Sequence, residues 1–332
     1  MFTFMLKAAQ PRARRTRALL QGLAVITLLL AAKPAFACSS CGCTLSPDWV
    51  TQNYTTRPGF KLDMRYDFVD QNQLRRDTGS VSGGSLPLPN AEEVQRVTRT
   101  QFLNLGLDYS PNRDWGFRLD VPLLDRFHTT VAPGDTAESK SDTSDLGDIR
   151  VTARYQGFSE SKNTGVELGL KLPTGSFHQT FDSGPQAGEA VDRGLQAGTG
   201  TTDLIVGVYN VGYLGANFAR FSQLTLKTPF AAREDFKPGT AVNANLGVSY
   251  LGLGRWVPQF QLNGKVEGRD SGAEADRPNS GSRVVYASPG MTLQLPKNTQ
   301  AYTFVQLPLY QDYNGLQLAP RYTVSLGMRY SF

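Results

Sequence analysis

Hydrophobic and polar residues alternate along most of the chain in segments of about ten residues. Near the start of the first segment, Lys61, Asp63 and Arg65 lie between Phe60, Leu62, Met64 and Tyr66. A period of two is typical of a β-strand with one apolar and one polar face. Twelve such segments occur, at about residues 58–70, 97–110, 115–127, 145–158, 164–173, 200–212, 215–229, 239–251, 256–268, 282–295, 299–310 and 318–332.

The connections between these segments alternate in length. The long ones cover residues 71–96, 128–144, 174–199, 230–238, 269–281 and the shorter 311–317, and tight turns lie between them. This alternation predicts an all-β protein: an antiparallel transmembrane β-barrel of about 12 strands, with short periplasmic turns and long extracellular loops. A soluble β-sandwich is the alternative, but it should have shorter strands and no difference between its two ends.

The C-terminal segment strengthens the prediction of a barrel. Apolar residues occupy every second position from Tyr322 to Phe332. A last strand that ends in Phe with an aromatic residue two positions earlier resembles the assembly signal of bacterial outer-membrane proteins. We therefore expect the outer-membrane barrel assembly machinery to recognise Tyr330 and Phe332. We also expect the lipid of the outer membrane to surround the barrel.

Charged residues occupy the polar face of many predicted strands. A charge that faces lipid near the bilayer midplane costs about 2–4 kcal/mol, so we expect these side chains to line the lumen. Two interpretations stay open: a mixed-charge conduit for a small solute, or a lumen closed by its own salt bridges. The predicted lumen-lining residues are Lys61, Asp63, Arg65, Asp67, Arg118, Asp120, Arg150, Arg154, Glu167, Lys171, Lys265, Glu267 and Arg329.

The first 37 residues have the features of a signal peptide. Basic residues precede an apolar run, and Ala35-Phe36-Ala37 resembles a cleavage site. We expect a signal peptide at 1–37, a periplasmic Cys-rich segment at 38–57 and an outer-membrane barrel at 58–332. The formal net charge of +5 comes from the leader, which has six basic residues and no acid. The basic pI therefore indicates no nucleic-acid partner.

Short motifs at the ends of the predicted strands resemble one group of bacterial proteins. They include Asp145-Leu146-Gly147-Asp148, Leu172-Pro173-Thr174-Gly175 and Gln306-Leu307-Pro308. The chain resembles outer-membrane transporter-like barrels related to the MetA-pathway phenol-degradation family, and the CSSCGC segment resembles the N-terminus of a subgroup. This resemblance implies an outer-membrane channel or transporter for a small solute, with an aromatic or hydrophobic compound as a candidate.

All three cysteines lie in the segment after the predicted cleavage site, at Cys38, Cys41 and Cys43. Three thiolates at this spacing can take Cu(I), or Zn with a fourth ligand. They can equally form one disulfide with a thiol left for a periplasmic thiol- or metal-handling partner, and Cys38 can be lipidated. The residues leave these alternatives open.

No catalytic motif accompanies the barrel pattern, so we expect no enzyme activity. The chain has two histidines, His128 and His178, beside the predicted extracellular loops, where we expect solvated side chains. The sequence thus predicts an outer-membrane channel for a small solute. The alternatives are a closed structural barrel whose cysteine segment binds metal or docks a partner and, with less support, a surface enzyme.

Overall fold

A computed structural model describes residues 58–82 and 86–332; the cysteine segment and the expected signal peptide lie outside these residues. The regular elements of the described chain are β-strands, apart from one 3-10 turn at Arg193–Leu195. No helix in it is long and apolar enough to cross a membrane. The strands are β1 (Gly59–Asp77), β2 (Gly79–Ser80), β3 (Val94–Ser110), β4 (Trp115–Val131), β5 (Ser139–Leu146), β6 (Arg150–Tyr155), β7 (Thr164–Lys171), β8 (Asp203–Leu214), β9 (Phe218–Pro229), β10 (Ala241–Tyr250), β11 (Trp256–Glu267), β12 (Ser282–Leu295) and β13 (Thr299–Ser331).

Eleven of these strands form a ring, which the pairing of β13 with β1 closes. Every neighbouring pair is antiparallel, and a ring with an odd number of unidirectional strands cannot satisfy that condition. The chain reverses within β13, because residues 299–313 pair with β12 and residues 316–331 pair with β1. The barrel wall therefore has twelve crossings, as the alternation of the sequence predicted.

The side chains of the wall are distributed in the opposite way to those of a soluble protein. On β1, Lys61 and Asp63 are 4% and 3% exposed, whereas Phe60 and Leu62 are 46% and 48% exposed. The same alternation continues around the barrel, with Leu168, Leu246 and Leu326 on the outside. An apolar outer face with a polar interior suits a bilayer as solvent. The protein is an outer-membrane β-barrel.

The two ends of the barrel differ as expected. Short turns join β3 to β4, β6 to β7, β8 to β9, β10 to β11 and β12 to β13, and both ends of the described barrel chain lie on this side. The opposite end carries the long connections, the longest of which covers residues 172–202. Short turns are periplasmic in such barrels and long loops are extracellular.

Two strand predictions were wrong in detail. The strand expected at 145–158 begins at Arg150, and residues 139–146 form β5, which pairs with the outer half of β4 and is not part of the ring. The carboxylate of Asp148 accepts hydrogen bonds from the backbone N–H groups of Gly175 and Thr199, at 3.2 and 3.0 Å. The chain around Asp148 is therefore bound to the long loop, so it does not continue the sheet.

The expected connection at 311–317 was the second error. The strand continues through it and reverses near Gly315, whose φ of +62° lies in the left-handed region that glycine adopts without strain. A tight reversal replaces a loop at this position because Leu316 N–H is bound by the side chain of Asn279, at 2.9 Å. The last hairpin is thus fixed to the loop that joins β11 and β12.

Candidate functional site: the barrel interior and its mouth

Charged residues fill one side of the interior near the periplasmic end. This charged side is built from β1, β3, β4, β6 and the second arm of β13. Arg154 donates to both carboxylate oxygens of Asp108 at 2.7 Å, and Arg118 donates to Asp120 at 2.7 and 2.9 Å. All four side chains are nearly fully buried. Their burial without access to water makes each partner necessary to the other.

Asp63 of β1 binds side chains from both arms of β13, the strand that closes the ring. Its carboxylate accepts hydrogen bonds from Arg329 and Tyr302, each at 3.2 Å. Gly327 leaves the space that the ring of Tyr302 occupies, since a Cβ there would lie 2.2 Å from the ring. The same strand carries Asp67, which accepts from Arg65 at 2.8 Å. The charged side is therefore a continuous, packed network.

The other predicted lumen residues lie farther around the barrel or closer to its mouth. Lys171 contacts Asp148 at 2.9 Å and Asp203 at 3.2 Å, beside the long loop. Lys265 and Glu267 form an ion pair at the outer end of β11. The predicted lumen-lining residues Lys61, Asp63, Arg65, Asp67, Arg118, Asp120, Arg154, Glu167, Lys171, Lys265, Glu267 and Arg329 are all buried, and Arg150 is half-buried. Tyr330, of the assembly signal, is on the outer face and Phe332 is exposed beside it.

Neutral amides and hydroxyls fill the side of the interior built from β9 to β12 and the first arm of β13. This amide side is centred on Asn263, which donates to Asn245 at 2.7 Å and accepts from Ser288 at 2.6 Å. Gln259 donates to Thr292 at 2.7 Å. Charge is absent from this group, so its hydrogen bonds carry less energy each than those of the charged side. Its members are Gln223, Asn245, Gln259, Gln261, Asn263, Ser288, Thr292 and Gln306.

The longest loop, 172–202, lies in the extracellular mouth. Arg126 of β4 donates to the backbone carbonyls of Leu195 and, at 3.4 Å, Gln196. Phe181, Val191 and Leu195 pack together as a small apolar core in this loop. The side chain of Gln196 further binds the carbonyl of Val191 at 2.6 Å. The loop is therefore ordered by its own contacts as well as by the barrel wall.

A cavity of about 390 Å³ lies between this loop and its neighbours. Phe181 and Leu195 give it an apolar lining, and His128 of β4 lines it beside Phe181, with 6.3 Å between the ring centres. The expectation that His128 would be solvated was wrong, because it is 1% exposed and its Nδ1 is bound to the hydroxyl of Thr98 at 2.8 Å. Its position at the outer end of a long strand, under a folded loop, explains the burial. Further lining residues are Ala91, Glu92, Pro133, Gln186, Ala190, Pro278 and Asn279.

Three carboxylates converge on the same cavity. Glu93 precedes β3, Asp192 belongs to the long loop and Asp276 lies between β11 and β12. One oxygen of each lies within 4.8 Å of the others. Burial and the neighbouring Asp192 raise the pKa of Glu93 to about 8, and burial and Asp276 raise the pKa of Asp192 to about 6. The three acids are thus held together against their mutual repulsion.

A family model matches residues 94–313 of the chain, which include all of the wall from β3 to β12. Its description is "Putative MetA-pathway of phenol degradation". The chain belongs to this family. The match confirms the resemblance that the strand-end motifs suggested, whereas the likeness of the CSSCGC segment to a subgroup stays a prediction. No curated protein matches the sequence.

Solved outer-membrane barrels resemble this MetA-family chain. The COG4313 outer membrane channel from Pseudomonas putida F1 has a TM-score of 0.62 and 14% identity, over 87% of this chain and all of that one. The monoaromatic hydrocarbon channel CymD (TM-score 0.47, 10% identity) matches over 90% of this chain and 98% of its own. The Ralstonia pickettii toluene transporter TbuX (0.46, 10%) matches over 89% and 97%. All three are described as channels or transporters.

Sequence reasoning missed several residues of the MetA-family barrel's interior and mouth. Glu93, Asp192 and Asp276 stand in loops far apart in sequence, and no motif joins them. Asp108 and Tyr302 belong to strands whose polar faces carry few charges, so no run of charged residues marks them in the sequence. Asp108 does follow the alternation of its strand, and Tyr302 precedes Phe304 and Gln306 at the strand's period. The period of two alone therefore predicts that both side chains face the interior.

Proposed function

We propose that the barrel is an outer-membrane channel that admits a small apolar or aromatic solute through the cavity at its mouth. The observation that carries the proposal is the 390 Å³ cavity that Phe181, Leu195 and His128 line together. Its volume lies within the range of about 300–1,000 Å³ that is usual for small-molecule sites. Such sites combine an apolar lining with a few polar groups that orient the ligand.

Family membership supports the same class of solute. The family description refers to phenol degradation, and a one-ring aromatic with a hydroxyl suits an apolar wall beside an unpaired ring nitrogen. The Nε2 atom of His128 has no hydrogen-bond partner, so it is free to bind a solute hydroxyl. The chain shares its fold with the COG4313 outer membrane channel, which supports a barrel with a transport role.

Phenol binding to the refolded barrel tests the proposal. Leu195 is 9% exposed and lines the cavity, so Leu195→Trp should fill it. Leu246→Trp is the matched control because Leu246 is 56% exposed on the outer face of β10. We expect titration of the barrel with phenol, followed by saturation-transfer NMR, to show at least a tenfold weaker affinity for Leu195→Trp and no change for Leu246→Trp. Equal binding by both variants, or none by the original chain, would overturn the proposal.

A closed structural barrel is the second candidate, and the buried charge network favours it. In the described residues, the interior below the mouth is packed with paired side chains such as Arg154 with Asp108 and Arg329 with Asp63. Single-channel conductance in a planar bilayer, with thiols reduced and then oxidised, separates the two candidates. We expect a small, steady conductance from a channel, and none in either state from a closed barrel. Docking of a thiol- or metal-handling partner by Cys38, Cys41 and Cys43 belongs to this second proposal.

A further inference from the structure

We propose that Glu93, Asp192 and Asp276 bind one divalent cation of the oxygen-preferring kind, with Ca²⁺ as the model ion, and that this ion clamps the loop 172–202 in the barrel mouth. The three carboxylates come from three separate loops, and one oxygen of each lies within 4.8 Å of the others. Each residue is half-buried, so water screens their repulsion only in part.

Positive charge on the protein does not compensate these acids. Among the described residues, the ion pairs include none to Glu93, Asp192 or Asp276. The neighbouring Arg193 makes its contacts elsewhere, since its guanidinium lies 4.2 Å from the centre of the Phe177 ring and 3.9 Å from Glu234. A bound cation would supply the charge that the side chains do not.

Buried polar atoms without partners face the same region and give independent support for a ligand. His128 is only 1% exposed, and its Nε2 has no hydrogen-bond partner. It lines the cavity together with all three carboxylates. Gln317 is 3% exposed, and its Oε1 also lacks a partner in the adjoining cavity that Asp192 and Asp276 line. Buried polar atoms are nearly always satisfied, so such atoms indicate a water or ion in the molecule.

The donor atoms select the class of ion. Carboxylates and amide oxygens are the ligands of Ca²⁺, which accepts six to eight oxygens at about 2.3–2.6 Å in flexible geometry. Gln317 Oε1, in the adjoining cavity, is an amide oxygen of this kind. His128 is not among the mutually close ligand atoms, so it is not a ligand of the ion. A soft ion such as Cu(I) finds no thiolate here.

The loops that supply the ligands explain what the ion would do. Glu93 directly precedes β3 in the wall, and Asp276 is held by Asn279, whose side chain donates to it at 3.0 Å. Asn279 in turn binds the backbone of Leu316 in β13. Two ligands are therefore fixed to the wall, and only Asp192 belongs to the loop that fills the mouth. An ion that joins all three would hold this loop against the wall.

Binding of Tb³⁺ to the refolded full-length mature barrel, with Ca²⁺ as competitor, tests the site. We expect one saturable site that Ca²⁺ displaces with a dissociation constant of about 10⁻⁴–10⁻³ M, as in extracellular calcium modules. Asp192→Asn and Glu93→Gln should each weaken Ca²⁺ at least tenfold. Glu189→Gln is the matched control, because Glu189 is exposed on the same loop, and it should bind as the original chain does.

Two outcomes would overturn the site. One is the absence of saturable binding in the original chain, and the other is equal binding by Asp192→Asn, Glu93→Gln and the control. The shift of the folded barrel on electrophoresis without heating verifies that each variant has folded. A failure of phenol binding would leave this result unchanged, because ion binding is measured without solute.

Hydrogen exchange tests the clamp itself. Ca²⁺ should slow amide exchange in residues 172–202 at least severalfold in the original chain and in Glu189→Gln, and should not do so in Asp192→Asn. Exchange in the turn 215–217 at the opposite end is the internal reference. Ion binding without any change of exchange in the loop would overturn the clamp.

Discussion

The charged side and the amide side of the interior solve the same problem with different chemistry. Both fill the barrel with polar atoms that are almost completely buried, and both are made by inward-facing residues of neighbouring strands. On the charged side, Arg154 and Asp108 pair with two hydrogen bonds of 2.7 Å. On the amide side, Gln259 and Thr292 share one neutral bond of 2.7 Å. The hydrogen-bond lengths on the two sides are equal, but the cost of losing a partner differs between them.

The difference follows from desolvation. Removing one partner of a buried ion pair strands a charge in a medium that cannot solvate it, at a cost of about 3–5 kcal/mol. Removing a neutral partner costs about 1–3 kcal/mol, and replacing both partners by apolar groups is nearly neutral. The charged side should thus tolerate only coupled changes, whereas the amide side should tolerate substitution.

The largest effect is expected from separating Asp108 and Arg154. Asp108→Asn should lower the free energy of unfolding by about 3–5 kcal/mol, because Arg154 and Arg118 then lose their shared buried counter-charge. Urea unfolding of the barrel in detergent measures this loss. In the double variant with Arg154→Gln, much of the loss should be recovered.

Strict additivity of Asp108→Asn and Arg154→Gln would contradict the coupling on which the comparison rests. Glu160→Ala is the control for this cycle, because Glu160 is exposed on a short turn at the same end of the barrel. It should leave the free energy of unfolding unchanged within about 0.5 kcal/mol.

A smaller effect is expected from Gly327→Ala. The added methyl would lie 2.2 Å from the ring of Tyr302, so the ring must leave its hydrogen bonds to Asp63. Overpacking of this kind costs about 1–3 kcal/mol. Gly264→Ala on the outer face of β11 is the control, since a Cβ there meets its nearest neighbour at 3.7 Å. Urea unfolding of both variants measures the difference, and equal losses would show that the space beside Tyr302 is not needed for the packing of the charged side.

The smallest effect is expected from the joint replacement of Gln259 by Met and Thr292 by Val. Both polar partners are removed together, so no buried donor of this pair loses its acceptor. The free energy of unfolding should change by less than about 1 kcal/mol. Gln259→Met alone should change it more, because it leaves the buried hydroxyl of Thr292 without a partner. A double variant as unstable as Asp108→Asn would remove the distinction between the two sides.

The sequence by itself determined the barrel wall. Period-two alternation places each residue on one face of a strand, so Lys61, Asp63 and Arg329 could be assigned to the interior from their positions alone. The uneven connections distinguished the two ends, and strand-end motifs indicated the family. These are local properties, which are readable because a bilayer demands an apolar outer face at every crossing.

Tertiary structure alone decided which residues distant in the sequence contact each other. The partner of Asp108 is Arg154, 46 residues away, and the mouth brings together Glu93, Asp192 and Asp276 from three loops. His128 was expected in solvent and is buried, because the fold of the loop 172–202 covers it. Loops obey no period, and their positions depend on contacts between residues distant in the chain. For that physical reason the wall of this barrel can be predicted from its sequence, whereas the arrangement of its mouth depends on how the loops fold together.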